Sequence, residues 1–174
     1  KDTAYVGEHI QIGNHRVILD SRTLAKMLDA VDVTDCELVL DVGSGYGYSA
    51  AIIAHLAEAV VALESEDKPA NEMQNALIDH GIDNVIVERG PLFSGAASHA
   101  PYDVIFLQGG VELIPSEILT QLKEGGRIVA IFMQGSLGSV KIGYKLNNEV
   151  SWRFAFNAGA PVLEGFKKEM TFTF

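Results

Sequence analysis

The hydrophobic and polar positions fall into alternating blocks that predict strands and helices in turn. Short apolar runs bounded by polar or glycine residues predict five buried strands, at residues 38–41, 60–64, 85–87, 103–107 and 127–132. Segments with the apolar spacing or the end signals of helices lie at residues 20–31, 49–56, from 65 or 67 to about 80, and 115–122. Strands that alternate with helices predict an α/β fold whose mostly parallel sheet carries helices on both faces.

Both ends of the chain depart from this alternation. Residues 10–19 predict one or two short strands or an ordered loop. Beyond Gly138, residues 140–146 and 149–156 alternate like the arms of a β-hairpin, and Asn147-Asn148 suits the positive φ angles of its turn. This hairpin predicts an antiparallel edge to the sheet. The remaining short segments predict a last strand at residues 170–174 and loops or turns at residues 94–101, 108–110 and 125–126.

Three glycines at alternate positions follow the first predicted strand. Gly43, Gly45 and Gly47 lie between that strand and a helix, an arrangement typical of nucleotide-binding α/β sheets. The dinucleotide fingerprint is G-x-G-x-x-G, and here the third glycine comes one residue early. A turn that merely packs a helix on the sheet is the alternative without a ligand.

Two acidic residues decide which ligand this glycine stretch favours. Asp41 ends the strand before it, where a carboxylate would repel a pyrophosphate but suits a cationic ligand. Glu64 ends the next strand about 20 residues further on, where a ribose hydroxyl pair is usually held. S-adenosylmethionine carries an ammonium, a sulfonium and no phosphate. The two acids therefore favour S-adenosylmethionine over a nicotinamide dinucleotide, which remains the alternative.

Composition and charge narrow the class of protein. The 174 residues are 48% hydrophobic with a formal net charge of -10 and no basic cluster, so nucleic acid is not expected as a partner. No apolar run approaches the roughly 18 residues of a membrane helix, and no signal peptide is visible. The single cysteine, Cys36, cannot form an internal disulfide, which predicts a reducing, cytoplasmic compartment. A start at Lys1 predicts a trimmed chain or numbering from inside a longer protein.

The order of motifs resembles class I methyltransferases that use S-adenosylmethionine, and more specifically the protein-L-isoaspartate O-methyltransferase family. The resemblance extends over roughly residues 5–135, and the P-Y-D strand and the L-K-x-G-G-R turn make it specific. It is carried by residues 39–48, 100–105, 114–115, 119–121 and 122–127, with Ile12-Gly13 and residues 25–27 in register.

The resemblance implies a Rossmann-like methyltransferase fold and methylation of a carboxylate on damaged proteins. The acceptor is expected to be an isoaspartyl residue of a protein or peptide, or a small carboxylate, and the oligomeric state is left open. A single domain is expected over residues 1–174, with a substrate-loop and helix segment at 1–36, a cofactor-binding core at 37–135 and a β-hairpin region at 136–174.

The resemblance also implies roles for individual residues around the cofactor. The glycine loop and Asp41 would cradle the methionine part, Glu64 would hold the ribose, and residues after the third strand would border the adenine. The expected cofactor-binding residues are Asp41, Gly43, Ser44, Gly45, Tyr46, Gly47, Glu64, Ser65, Pro91, Leu92 and Gln108.

The chain departs from the family pattern in two places. The family's substrate loop reads like T-I-S-x-P, and here Val17, Leu19 and Ser21 stand at its threonine, serine and proline positions. The family's G-D-G after the third strand is Gly90-Pro91-Leu92, and proline supplies neither a side-chain acceptor nor a backbone donor. These departures predict altered substrate binding and weaker cofactor binding. The alternatives are a divergent homologue that binds S-adenosylmethionine without isoaspartyl activity, or a non-catalytic interaction protein.

No catalytic base or metal site is expected. A carboxylate acceptor is already ionised at neutral pH, so methyl transfer to it needs alignment rather than a general base. The catalytic residues stay unassigned, although Arg22 lies near the substrate loop and could pair with an acidic substrate. The five histidines are scattered without metal-ligand spacing, so no metal is predicted.

Overall fold

The computed structural model describes residues 7–13 and 15–168, which form a seven-stranded sheet and a separate two-stranded one. The small sheet pairs β1 with β2 in antiparallel fashion, and the large sheet has the strand order β5-β4-β3-β6-β7-β8-β9. The strands are β1 (Ile10–Gly13), β2 (Arg16–Ile18), β3 (Leu38–Val42), β4 (Ala59–Glu64), β5 (Val85–Arg89), β6 (Tyr102–Val111), β7 (Leu122–Gln134), β8 (Leu137–Leu146) and β9 (Glu149–Asn157).

The large sheet is parallel from β5 to β7 and antiparallel from β7 to β9. β3 lies between β4 and β6. Along the chain, β4 and β5 are therefore added on one side of β3, and β6 to β9 are then added on the other. Ligands in such sheets bind at this reversal, outside the carboxyl ends of the strands. The predicted α/β fold with an antiparallel C-terminal edge is confirmed.

Two hydrophobic layers cover the faces of the sheet. One face packs against α1 (Ser21–Val31), α2 (Tyr48–Ala54) and α3 (Asp67–Asp79), through buried residues such as Met27, Ile53 and Met73. The opposite face packs against the short α4 (Ser116–Thr120) and against irregular chain, with Leu92, Leu163 and Phe166 among its buried residues. Irregular chain from two distant parts of the sequence therefore closes the second face.

Local signals in the sequence explain several element ends. The Asp20 carboxylate accepts a hydrogen bond from the Thr23 backbone N–H at 2.9 Å, which caps α1 where the sequence predicts it. The hairpin turn places Asn147 and Asn148 at φ angles of 53° and 64°, so the predicted turn is confirmed.

Two predictions about connecting segments are wrong. Residues 108–110 continue β6 instead of leaving the sheet, because after a shift in register Gly110 and Val111 pair with Ile131 and Phe132 of β7. The C-terminal segment also pairs there: the Gly110 N–H donates to the Pro161 carbonyl at 2.8 Å, and the Leu163 N–H donates to the Gly110 carbonyl at 2.9 Å. Residues 125–126 lie within β7, which begins at Leu122 and absorbs them in a shift of its register with β6.

The loop predicted at residues 94–101 is confirmed; it contains a short 3-10 turn at Ala97–His99 and follows another at Leu92–Ser94. The strand predicted at residues 170–174 lies outside the described residues.

The antiparallel strands form a packed unit around Trp152, the single tryptophan. Its ring meets that of Phe132 edge to face, with centroids 4.7 Å apart. A Cβ on Gly143, its partner across the β8–β9 pair, would lie 2.6 Å from Val150 and 2.9 Å from Ile128, so glycine is needed there for space. Across the described ranges, no helix combines the length and the apolar character needed to cross a membrane.

Candidate cofactor-binding site

The fold brings three polar side chains to one edge of the sheet. Asp41, Glu64 and Gln108 lie at or near the carboxyl ends of β3, β4 and the predicted part of β6, beside the reversal of strand order. They are 0%, 0% and 4% exposed, respectively. Buried polar groups need partners, so the bonds of each side chain define the site.

Asp41 is held beneath the glycine loop by two short hydrogen bonds. Its carboxylate accepts from Ser49 Oγ at 2.6 Å and from Gln108 Nε2 at 2.6 Å. Burial raises the pKa of Asp41 above its ordinary value, the negative charge of Glu64 adds to that rise, and the hydrogen bonds oppose it without cancelling it. Asp41 is therefore a costly buried carboxylate that ties the start of α2 to β6.

The glycine loop adopts a conformation that side chains rarely take. Gly45 and Gly47 have φ angles of 57° and 88°, in the left-handed region that glycine enters without steric cost. A Cβ at Gly45 would approach Ile12 of β1 to 2.9 Å, and one at Gly47 would approach Met73 of α3 to 2.7 Å. The small sheet thus lies over the loop from one side and α3 from the other.

Glu64 carries the densest set of contacts at this edge. The Arg16 guanidinium from β2 binds it in a bidentate pair, with both N–O distances at 2.8 Å. The backbone N–H groups of Gly45, Ser65 and Glu66 donate to the same carboxylate at 2.7, 2.8 and 3.1 Å. Every contact is made inside the protein, because Glu64 is fully buried and Arg16 is only 7% exposed.

These contacts keep Glu64 ionised. Burial by itself raises the pKa of Glu64, but the hydrogen bonds and positive charge of Arg16, helped by the backbone N–H groups, outweigh it and hold the pKa below its ordinary value. Arg16 also donates from Nη2 to the Gly43 carbonyl at 3.0 Å, whereas its buried Nε has no hydrogen-bond partner among the described residues.

Arg16 is a site residue that sequence reasoning misses. It directly precedes the apolar segment 17–19, and an arginine buried next to such a segment requires an acidic partner. The sequence does not show that this partner is Glu64, which lies 48 residues further along the chain.

The residues predicted to border the adenine lie around a surface cavity of about 370 Å³. Ser65, Pro91 and Leu92 line it together with Gly90, Phe93 and Glu164. Leu92 also covers the glycine loop from this side, since a Cβ on Gly43 would lie 3.6 Å from it and 3.8 Å from Leu163.

The substrate-loop positions separate into two groups. Val17 and Leu19 are each 3% exposed and belong to the hydrophobic core on the helical face. Arg22 is exposed and lines a separate cavity of about 340 Å³, while Ser21 begins α1. Of the glycine loop, Ser44 is buried and donates from Oγ to the Asp41 carbonyl at 2.7 Å, whereas Tyr46 faces a different cavity of about 260 Å³.

A larger cavity, about 630 Å³, lies at the end of β7 and the start of β8 and includes Phe132 and Lys141, but it is not lined by Asp41, Glu64 or Gln108. Within residues 7–13 and 15–168, no group of three or more His, Cys, Asp or Glu side chains is arranged to hold a metal ion.

The family-model match and the curated relatives name the same enzyme family. The family model described as protein-L-isoaspartate(D-aspartate) O-methyltransferase matches residues 1–152. Protein-L-isoaspartate O-methyltransferase 2 of an Anaeromyxobacter species is 37% identical over 142 residues, which cover 82% of this chain and 58% of that protein. The Polaromonas protein of the same name is 38% identical over 126 residues, covering 72% of this chain and 60% of that one.

Solved structures share the fold. A protein-L-isoaspartate O-methyltransferase superposes with a TM-score of 0.81 at 24% identity, covering 90% of this chain and 52% of that one. A Plasmodium falciparum protein assigned to the same enzyme class, in complex with S-adenosyl-L-homocysteine, gives a TM-score of 0.80 at 17% identity, with 94% and 83% covered. The matched region spans less than two thirds of the length of the two bacterial relatives.

Proposed function

The chain belongs to the protein-L-isoaspartate(D-aspartate) O-methyltransferase family, and from this membership we propose that it transfers a methyl group from S-adenosylmethionine to a carboxylate. The acceptor we propose is the side chain of an isoaspartyl residue in a damaged protein or peptide, or a small carboxylate. The observation that supports the proposal most directly is the pair of buried acids, Asp41 and Glu64, on either side of a left-handed glycine loop at the strand-order reversal.

The residue types at this edge fit that cofactor. We assign Glu64 to the ribose hydroxyls, because a buried carboxylate is the natural acceptor for a diol. We assign Asp41, Gln108 and the loop of residues 43–47 to the methionine end, and the cavity lined by Ser65, Pro91 and Leu92 to the adenine.

The chemistry asks little of the protein beyond binding and alignment. S-adenosylmethionine, when bound, supplies a methyl group that its sulfonium makes electrophilic. An acceptor carboxylate is ionised at neutral pH, so no side chain has to remove a proton. The chain's task is to fix the two reactants in line and to keep water away. Leu92 and Leu163, which lie over Gly43, would provide apolar cover for this purpose.

Calorimetric titration of the full-length protein with S-adenosylmethionine and its demethylated product tests cofactor binding. We expect Glu64→Gln to weaken binding at least about tenfold, because it removes a charge-assisted acceptor. Glu37→Gln is the matched control, since Glu37 also pairs with an arginine, Arg127, at an N–O distance of 2.6 Å but at a different location. Failure of both the folded parent protein and a folded Arg16→Met variant, in which no guanidinium pairs with Glu64, to bind either compound would contradict the proposal.

A methyl-ester assay with an isoaspartyl peptide tests the acceptor. We expect methyl ester with the isoaspartyl peptide and none with the same peptide containing a normal aspartyl residue. Ester formation on both peptides would argue for a broader carboxylate acceptor.

One observation favours a second candidate, a homologue that binds the cofactor but does not methylate isoaspartyl residues. Val17 and Leu19, at the positions of the family's substrate-loop hydroxyls, are aliphatic and packed into the core. This candidate predicts cofactor binding in the titration without ester formation in the peptide assay.

We also propose a cytoplasmic location. The single cysteine, Cys36, is a free and exposed thiol, and the cytoplasm keeps such thiols reduced.

A further inference from the structure

We propose that Arg16 is an internal competitor of the cofactor: it occupies the ribose position on Glu64 and has to swing away before S-adenosylmethionine binds. The inference rests on the proposed function and extends it to the control of binding. We call the Arg16 side chain bound to Glu64 the Arg16 gate.

The lone pairs of Glu64 are already engaged by donors of the protein itself. A ribose diol needs acceptor positions on the carboxylate, and the bonds from Arg16, Gly45, Ser65 and Glu66 use both oxygens. Three of these partners are backbone N–H groups that belong to the loop and strand end themselves. The Arg16 guanidinium is the strongly bound partner that a side-chain rotation can remove.

The closed gate also fills space beside the glycine loop. The guanidinium is buried against the glycine loop, where Nη2 lies 3.0 Å from the Gly43 carbonyl and 3.4 Å from a Cβ placed on Gly43. A ligand that approaches both Glu64 and the backbone at Gly43 therefore meets the Arg16 side chain first.

Opening of the gate leaves the large sheet intact. Arg16 lies on β2, which among the described strands pairs only with β1 and is not part of the seven-stranded sheet. Its Nε is buried without a partner among the described residues, so the closed state leaves one donor of the guanidinium unsatisfied. The ion pair can thus open without breaking a strand pair of the large sheet, and opening restores solvent to that donor.

Only molecules with an open gate bind the cofactor. The apparent affinity is therefore the affinity of the open state multiplied by the fraction of molecules in which the gate is open. Arg16→Met keeps the apolar stem and removes the guanidinium, so it should raise the affinity of the full-length protein for S-adenosylhomocysteine about tenfold or more in calorimetry. Arg127→Met is the matched control. Arg127 makes a similar bidentate pair with Glu37, at 2.6 and 3.0 Å, and its loss should change the affinity less than about twofold.

The outcomes separate the gate from the proposed function. Tighter binding by Arg16→Met, including binding where the parent shows none, supports the gate. Equal or weaker binding by a folded Arg16→Met, beside measurable binding by the parent, refutes the gate and leaves the cofactor site in place. Absence of binding by both folded proteins refutes the proposed function and the gate together.

A measurement on the unaltered protein covers the case in which Arg16→Met does not fold. The Nε–H nuclear magnetic resonance signal of Arg16 should be protected from exchange with water in the free protein and lose that protection when S-adenosylhomocysteine saturates the site. Protection that persists in the complex would overturn the proposal.

Discussion

Leu19 shows how a single side chain can separate a sequence motif from its expected role. It occupies a position where the family carries a serine, yet it is 3% exposed and packs in the core with Val17 and Met27. A serine there would leave a cavity and bury a hydroxyl, both of which cost free energy. The substrate loop therefore cannot be restored by a simple exchange of side chains.

Leu19→Ser should lower the free energy of unfolding by about 3 kcal/mol, in the range measured when a buried leucine is truncated. Urea denaturation monitored by circular dichroism measures the change. Arg22→Ser is the control, since Arg22 is exposed and its loss should change stability by less than about 0.5 kcal/mol. Equal stability of Leu19→Ser and the parent would show that the hydroxyl finds a partner.

Replacement of Asp41 by asparagine should raise the free energy of unfolding, whereas Leu19→Ser should lower it. Because the pKa of Asp41 is raised in the folded state, the folded protein holds this proton more tightly than the unfolded chain, and ionised Asp41 opposes folding above the raised pKa. Asp41→Asn should therefore raise the free energy of unfolding at pH 8, and the gain should shrink as the pH falls through the raised pKa toward 3.8.

The contrast variant is Asp41→Ala, which leaves Ser49 Oγ and Gln108 Nε2 without their acceptor. It should be about 1–3 kcal/mol less stable than Asp41→Asn at every pH, because both variants lack the titrating carboxyl and only Asp41→Ala leaves the two donors unpaired. A parent more stable than Asp41→Asn at pH 8 would mean that the two hydrogen bonds outweigh the cost of the buried charge.

At the scale of elements, the strands and helices that are easiest to predict are those marked by a pattern within their own stretch of sequence. The continuous apolar runs of β3 and β4 end in Asp41 and Glu64, so the sequence predicts both the strands and the edge where the acids meet. The end of β6 is not predictable in this way. Gln108-Gly109-Gly110 has the composition of a loop, yet it stays in the sheet because the end of β6 pairs with β7 after a shift in register. Residues 161–163, distant in sequence, add a further bridge at Gly110.

Gly110 gives that pairing a test. A Cβ there would lie 2.4 Å from the Ala160 carbonyl oxygen and 2.8 Å from Met133, so Gly110→Ala pushes the C-terminal segment off β6. We expect a loss of about 1–3 kcal/mol in the free energy of unfolding. Gly90→Ala is the control, because the nearest atom to its Cβ is 3.8 Å away and it should be nearly neutral. If the two variants are equally stable, the pairing of the C-terminal segment with β6 contributes little to the free energy of unfolding.

At the scale of the whole molecule, carboxylates dominate the response to pH. The net charge is -10, and Glu37, Glu64 and Asp103 all have a pKa below the ordinary value in the folded state. At each of them the unfolded chain binds more protons in the acid range. Stability therefore declines as the pH falls below their unfolded values and through the lowered ones.

The Arg16–Glu64 pair should account for part of this decline. The ordinary pKa of Glu64 is 4.5. The stabilisation of the fold by ionised Glu64 is therefore present above that pH and is lost as the pH falls through the lowered pKa. Arg16→Met should flatten the fall in unfolding free energy as the pH drops below 4.5. A pH series of urea denaturation measures the slope, and parallel curves for parent and variant would show that the backbone N–H groups alone hold Glu64 ionised.

The edge-to-face contact of Trp152 with Phe132 gives the molecule an internal optical reporter. The chain has no other tryptophan, so its emission on excitation near 295 nm comes from the antiparallel strands alone. Far-ultraviolet circular dichroism instead reports on the helices that cover the parallel strands. A comparison of the two signals in one melt therefore distinguishes unfolding of the antiparallel edge from collapse of the helical layer, with no dye or label attached.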